Sequence, residues 1–384
     1  MKLSEGNNLI LRFMLINISS GIAVGMINFI IPVYALSLSA SSSEIGLIRG
    51  ISGLGDLLVV LPAGFLVDYF GSRNMYSVSC VLGVFIILML AAAGSTQLLL
   101  MLMLFYGMAR TIRATSLNAA FFKNIGIIGA QKGGWYRGSM TIGASFIGPV
   151  IGGIAASAID FSRYFIFSGA FLLVPLMIIL AGNDSRAGGK NFSLAGESNH
   201  YRSLLKIRLL VSATVIESLN MAFFITFSTF IAVLVIRDLA LSPGIAAMLI
   251  SLEGGATILV VFSCGRLLHR NNRNLYLTSF SITVIALLLL GTSSDIAVLA
   301  AASLATGAGS GLITLATFSQ VGSVEGEKGK IAGVFSFGHA AGAILGPTLG
   351  GLAGDFFGVR AVFLSFIPLF ALMALYVFIE GGDP

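Results

Sequence analysis

The chain has 384 residues, 57% of them hydrophobic and only 10% charged, with a mean hydropathy of +0.98. A water-soluble domain carries roughly a quarter charged residues, so composition argues against a soluble enzyme or a nucleic-acid-binding protein. The formal net charge of +6 sits in short connections, which makes it a topology signal and not a phosphate-binding face.

Apolar runs of about 20 residues, the length that crosses a bilayer, fall near 10–36, 44–66, 75–94, 97–119, 136–158, 163–182, 209–235, 243–265, 275–292, 295–317, 331–353 and 360–380. The first run is too long for a secretory signal peptide. A polar stretch from Gly182 to Lys206 separates six spans from six. The expected halves are 1–182 and 207–384, joined by a linker at 183–206. One set of alternate connections holds Lys2, Arg73, Lys123, Lys132, Arg270 and Lys330 among other basic residues, whereas the other set holds only Arg163, Arg237 and Arg360. This bias places both termini and the linker in the cytoplasm of a multi-pass plasma-membrane protein. Cys80 and Cys264 lie in apolar spans, so neither a disulfide nor a metal site is expected. No catalytic or nucleotide-binding motif calls for a cofactor.

The second and third spans are joined by Gly64-Phe65-Leu66-Val67-Asp68-Tyr69-Phe70-Gly71-Ser72-Arg73. This resembles the loop signature of the major facilitator superfamily, Gly-x-Leu-x-Asp-Arg-x-Gly-Arg-Lys. Gly64, Leu66, Asp68 and Gly71 match, Tyr69 and Ser72 depart, and Arg73 is basic where Lys is usual. A worn copy at Gly265–Arg273, offset by 201 residues, keeps the Gly, the Leu and the basic Arg270 and Arg273, with His269 in the acid's place. The resemblance implies a transporter fold in which this loop gates conformational change, with Gly64, Asp68, Gly71, Arg73 and Arg270 as the gate. Physically, Asp68 could latch onto the N–H groups and positive dipole end of the eleventh span near Lys330. It could also be a solvated loop charge.

Asp56 lies midway between Glu44 and Asp68, near the bilayer centre, where an ionisable group is costly. Arg49 precedes it by seven residues. Arg110 and Arg113, three apart, are read on one face of the fourth span. Arg110 is similar to the arginine of the family's fourth-helix motif, Arg-x-x-Gln-Gly, although Arg113 and Ala114 stand in place of Gln-Gly. The group reads either as functional buried charge or as a structural ion pair.

In the fifth span Gly148-Pro149-Val150-Ile151-Gly152-Gly153 returns, 198 residues later, as Gly346-Pro347-Thr348-Leu349-Gly350-Gly351 in the eleventh. Ala144, Gly148, Gly152 and Ala156 form one helical stripe, matched by Gly342, Gly346, Gly350 and Gly354. Such stripes let membrane helices pack backbone to backbone, while the proline bends or loosens the helix. The first copy resembles the family's antiporter motif, with Gly148, Pro149, Gly152 and Gly153 matching, and this implies exchange of substrate for protons. Its repetition is also consistent with pseudo-symmetric packing alone.

Glu217 and Glu253 stand alone inside spans of the second half, with no Lys or Arg in the inner part of those spans. A carboxyl there is cheapest to keep neutral and suits a proton carrier. The plainer alternative is a protonated carboxyl bonding a neighbouring helix.

The expected fold is all-α, with about twelve transmembrane helices in two pseudo-symmetric six-helix bundles, the major facilitator fold. The expected function is secondary active transport of a small organic solute across the lipid bilayer by alternating access, as a proton-coupled exporter. An importer or uniporter of an anionic solute using Arg49, Arg110 and Arg113 is one alternative. A non-transporting membrane sensor is another. The gate reading predicts that Asp68→Asn impairs solute flux in proteoliposomes with little loss of folded protein. Flux equal to the parent's would remove Asp68 from the gate.

Overall fold

Backbone groups inside a bilayer have no water to bond, so an apolar chain must close its hydrogen bonds within each segment, as a helix does. The computed structural model describes residues 2–129, 132–181, 206–263, 272–324 and 328–379, and among these residues there is no strand. The helices are α1 (Lys2–Ser37), α2 (Ser42–Phe70), α3 (Ser72–Leu90) and α4 (Thr96–Lys123). Next come α5 (Gly133–Ala158), α6 (Phe161–Leu180) and α7 (Arg208–Asp238). The rest are α8 (Pro243–Ser263), α9 (Asn272–Thr292), α10 (Ile296–Ser323) and α11 (Lys328–Phe357), and α12 (Val359–Ile379). Eleven are long and apolar enough to cross a membrane as single helices, and α2 is the twelfth, bent by 53° between Val60 and Pro62. Large apolar side chains such as Phe85, Ile154 and Leu259 are more than half exposed, as befits a protein whose solvent is lipid.

The chain divides into two compact units, 1–38 with 51–192 and 39–50 with 193–384. In the first unit α1 packs on α5 and α6, and α3 on α4 and α6. In the second unit α7 packs on α11, and α9 on α10 and α12. The inherited offset is visible in side-chain detail. A β-carbon on Gly107 of α4 would stand 3.0 Å from the Ser52 carbonyl carbon of α2, and one on Gly307 of α10 would stand 2.9 Å from the Glu253 carbonyl carbon of α8.

Helix starts are sealed by side chains. Ser41 and Glu44 form a reciprocal capping box, Ser41 N–H donating to Glu44 Oε2 (2.8 Å) and Glu44 N–H to Ser41 Oγ (3.2 Å). Within the second unit, Asp355 of α11 accepts the next two N–H groups, from Ser42 (2.7 Å) and Ser43 (3.0 Å). Ser95, Asp160 and Asp295 cap α4, α6 and α10.

The segment 64–73, read from sequence as a loop, is helix through Phe70. Gly71 alone forms the turn, at φ +85°, and α3 begins at Ser72. Only glycine takes that conformation without steric cost, so one residue suffices to reverse the chain. Most of the expected linker, 183–205, lies outside the described residues. So do Cys264 and the second loop copy from Gly265 through Arg270 to Asn271.

The two Gly-Pro elements pack as their stripes require but differ in local form. An added β-carbon on Gly148 would lie 2.8 Å from the Gly25 α-carbon of α1, and one on Gly346 would lie 2.6 Å from the Ala222 α-carbon of α7. Ile142–Ile147, just before Gly148-Pro149, is a π-helical turn, whereas Pro347 sits inside an uninterrupted α-helix. Pro149 removes a backbone donor, and the first copy takes up that loss by widening the helix. Gly148→Val and Gly346→Val are each expected to cost about 1–3 kcal/mol through overpacking, while Gly64→Ala, with nothing within 4 Å of the new carbon, is expected to be neutral. Thermal unfolding in detergent separates them. Parent-like unfolding of both valine variants would mean the stripes are not packed.

Candidate functional site

In the second unit, α7, α10 and α11 bring together a polar cluster in an otherwise apolar bundle. Glu217 of α7 is 2% exposed. Its Oε2 accepts a hydrogen bond from Thr317 Oγ1 of α10 (3.0 Å), and its Oε1 lies 3.6 Å from His339 Nδ1 of α11. The His339 side chain is 47% exposed, so the pair joins a buried acid to an accessible base. Next to them Asn220 Nδ2 donates to Thr314 Oγ1 (3.3 Å). Tyr276 donates its hydroxyl to Gln320 Oε1 (2.5 Å), and Gln320 Nε2 lies 3.4 Å from Ser212 Oγ. The partner of Glu217 is neither Lys nor Arg, the bases absent from the inner part of these spans. Histidine was the missing base, and the signal was there: of the three histidines in the chain, His339 alone falls inside a span.

Glu253 of α8 is also 2% exposed. Thr257 Oγ1 stands 3.2 Å from Glu253 Oε1 and 2.9 Å from the Gly307 carbonyl. A hydroxyl has one proton to give. In its neutral form Glu253 completes the chain, donating to Thr257, which donates to Gly307. The two acids have different surroundings, one beside a base and one in a closed hydroxyl relay.

In the first unit Asp56 of α2 is paired with Arg110 of α4 through Nε (3.3 Å) and Nη2, and it also accepts from Thr111 Oγ1 (2.7 Å). Arg113 does not join them. It is 3% exposed and turns toward α3, where an added β-carbon on Gly83 would meet its Nη1 at 3.1 Å. The expectation that Arg110 and Arg113 share a face is therefore corrected. Residues three apart are offset by about 60° on a helix, enough to send two long side chains to different neighbours. Arg49 is buried within the second unit's contacts, its Nε donating to Thr229 Oγ1 (3.3 Å).

Of the gate residues, Asp68 is exposed at the end of α2, and Gly64 and Gly71 leave open space around their α-carbons. Arg73 donates to the Leu180 carbonyl at the end of α6 (2.6 Å). Two hundred residues on, Arg273 makes the same bond to the Phe378 carbonyl of α12 (2.9 Å). Each arginine satisfies an orphan carbonyl at a helix C-terminus, where the dipole favours a cation. Gly152 and Gly153 of α5 are buried; Gly152 faces Phe29 and the Tyr164 hydroxyl, and Gly350 and Gly351 of α11 approach Thr226 and Ser42. No group of three or more potential metal ligands occurs among the described residues.

Asp56→Asn is expected to lower stability by about 1–3 kcal/mol, because Arg110 keeps its charge and loses its partner. Yield of monodisperse protein and thermal unfolding measure it. A parent-like variant would show that the pair is dispensable for folding.

A family model described as the Major Facilitator Superfamily matches residues 13–270 and 210–383. No curated protein sequence matches the chain. Among solved structures, a point variant of the nucleoside transporter NupG is similar with TM-score 0.82 and 14% identity, over 97% of this chain and 100% of that one. NupG itself gives TM-score 0.81 and 14% identity over 97% and 98%. A bacterial homologue of the human lysosomal transporter Spinster, inward-facing and unoccupied, gives TM-score 0.77 and 14% identity over 97% and 96%. At that identity the likeness is one of fold. With the family match across both halves, it makes the chain a member of the major facilitator superfamily, a multi-pass secondary transporter and not an enzyme.

Proposed function

We propose that the protein is a proton-coupled exporter of a small organic solute, working by alternating access. The observation that carries this reading is the Glu217–His339 pair with Thr317 beside it. Coupling needs a buried carboxyl whose proton affinity changes as its surroundings change. Glu217 has the His339 imidazole 3.6 Å from its carboxyl, a base on a neighbouring helix. Glu253, in its relay with Thr257, is the second carrier. Export is favoured by the Gly148–Gly153 element, whose likeness to the family's antiporter motif implies exchange for protons and which a π-helical turn precedes. Such turns recur at functional sites. The anion-uniporter alternative draws less support, because Arg110 is engaged by Asp56 and Arg49 by Thr229. The charge bias of the connections favours a plasma-membrane protein with cytoplasmic termini and the linker at 183–206 between two halves.

Glu217→Gln and Glu253→Gln each fix a neutral isostere of the protonated acid. Each is expected to abolish pH-driven accumulation in proteoliposomes while leaving counterflow exchange without a gradient. The assay uses a panel of cationic, neutral and anionic solutes. Full pH-driven accumulation by the double variant would remove both acids from coupling.

A further inference from the structure

At the end of the first unit where α3 begins, a cavity of about 70 Å³ opens between α1, α3, α4 and α6. A single water needs roughly 10–15 Å³ measured this way, so the space takes a group the size of a tetrahedral oxyanion. Arg12, Arg73 and Lys123 line it, with Ser72, Ser116 and Asn124 as neutral polar groups, and no carboxylate is among its lining residues.

The arginines are held in place. Arg12 donates to the Ile178 carbonyl (2.8 Å) and Arg73 to the Leu180 carbonyl (2.6 Å), both on the last turn of α6. For Arg73 that bond uses one of the five N–H groups of its guanidinium. The start of α3 adds to the positive field, because Gly71 precedes it and offers no side-chain cap. Deeper in the bundle the same sign continues. Tyr76 lines the cavity, is 1% exposed, and its hydroxyl has no hydrogen-bond partner. One turn along α4 from Leu117, the two terminal nitrogens of Arg113 are buried without a hydrogen-bond partner.

We propose that this cavity binds a phosphate-type oxyanion, with Arg73 and Lys123 as its charged donors and Ser72 and Asn124 as its neutral ones. The chemistry is that of a lipid headgroup phosphate or of free phosphate; basic pockets between membrane helices take headgroups in this way. The site is separate from the proton-coupling cluster and does not rest on it.

The test uses the full chain purified in neutral detergent, titrated with inorganic phosphate, with short-chain phosphatidylglycerol, and with short-chain phosphatidylcholine as the zwitterionic control. Thermal shift and calorimetry are read at fixed ionic strength. Saturable binding of phosphate or phosphatidylglycerol is expected, with competition by sulfate but not by chloride. Binding of phosphatidylglycerol alone identifies the headgroup as source, and binding of phosphate alone identifies the free anion. Lys123→Gln removes one exposed charge and is expected to weaken binding about five-fold, the scale of one charge-assisted contact. Lys132→Gln changes charge at the same end of the unit but lies outside the lining, and should bind like the parent. Absence of saturable binding, equal competition by chloride, or equal weakening by both lysine variants would overturn the proposal.

Discussion

Glycines at the crossings of α5 with α1 and of α11 with α7 set the distance at which those helices meet. Gly338 and Gly342 of α11 sit so close to α7 that an added β-carbon would collide with the Thr214 side-chain methyl at the first and with the Ser218 backbone at the second. Glu217 and His339 are the immediate neighbours of those contact points, and they reach one another at 3.6 Å because the helices have no side chains to hold them apart. Dispersion at such close contact replaces the hydrophobic driving force that lipid does not provide. The polar cluster is thus a consequence of the small-residue stripe. A larger residue in the stripe would strain the packing and separate acid from base together.

Much of this was legible in the sequence because lipid imposes coarse rules. Twelve apolar runs became twelve helices, with ends displaced by a few residues, since hydropathy fixes where a span lies and caps fix where it stops. The Gly-Pro repeat was legible because close packing admits few residue types. Side-chain direction was not. Nothing in the spacing of Arg110 and Arg113 says that one turns to Asp56 and the other to α3, because that depends on which neighbours each side chain meets. The helical course of 64–70 was hidden for a related reason: a glycine-rich signature reads as loop until it is known that Gly71 alone makes the turn.

The two units are instructive where equivalent positions differ. Tyr76 and Tyr276, Arg73 and Arg273, Gly107 and Gly307 repeat at an offset of 200 residues, and they do framework work: capping, core filling, close approach. At the same offset, Asn17 becomes Glu217 and Leu117 becomes Thr317, while His339 comes from α11, whose repeat with α5 runs at a different offset. In the first unit Asn17 Nδ2 simply donates to the Tyr136 carbonyl (2.8 Å), tying α1 to α5. The second unit turns the same crossing of helices into an acid, a base and a hydroxyl.

That divergence assigns chemistry by unit. Asp56 and Arg110 neutralise one another, an ion pair that ties α2 to α4. Glu217 and His339 instead set a buried carboxyl 3.6 Å from an accessible imidazole, with no fixed cation in the pair. A buried group that changes charge is tolerable only where the surrounding structure has more than one arrangement to offer. Framework positions repeat between the halves because both must pack; the positions that do not repeat are where a transporter can place its asymmetry. The π-helical turn at Ile142–Ile147, absent from the second copy of the same motif, belongs with them. It lies beside a proline whose twin in α11 sits in regular helix, so the two units differ in local helix form as well as in charge.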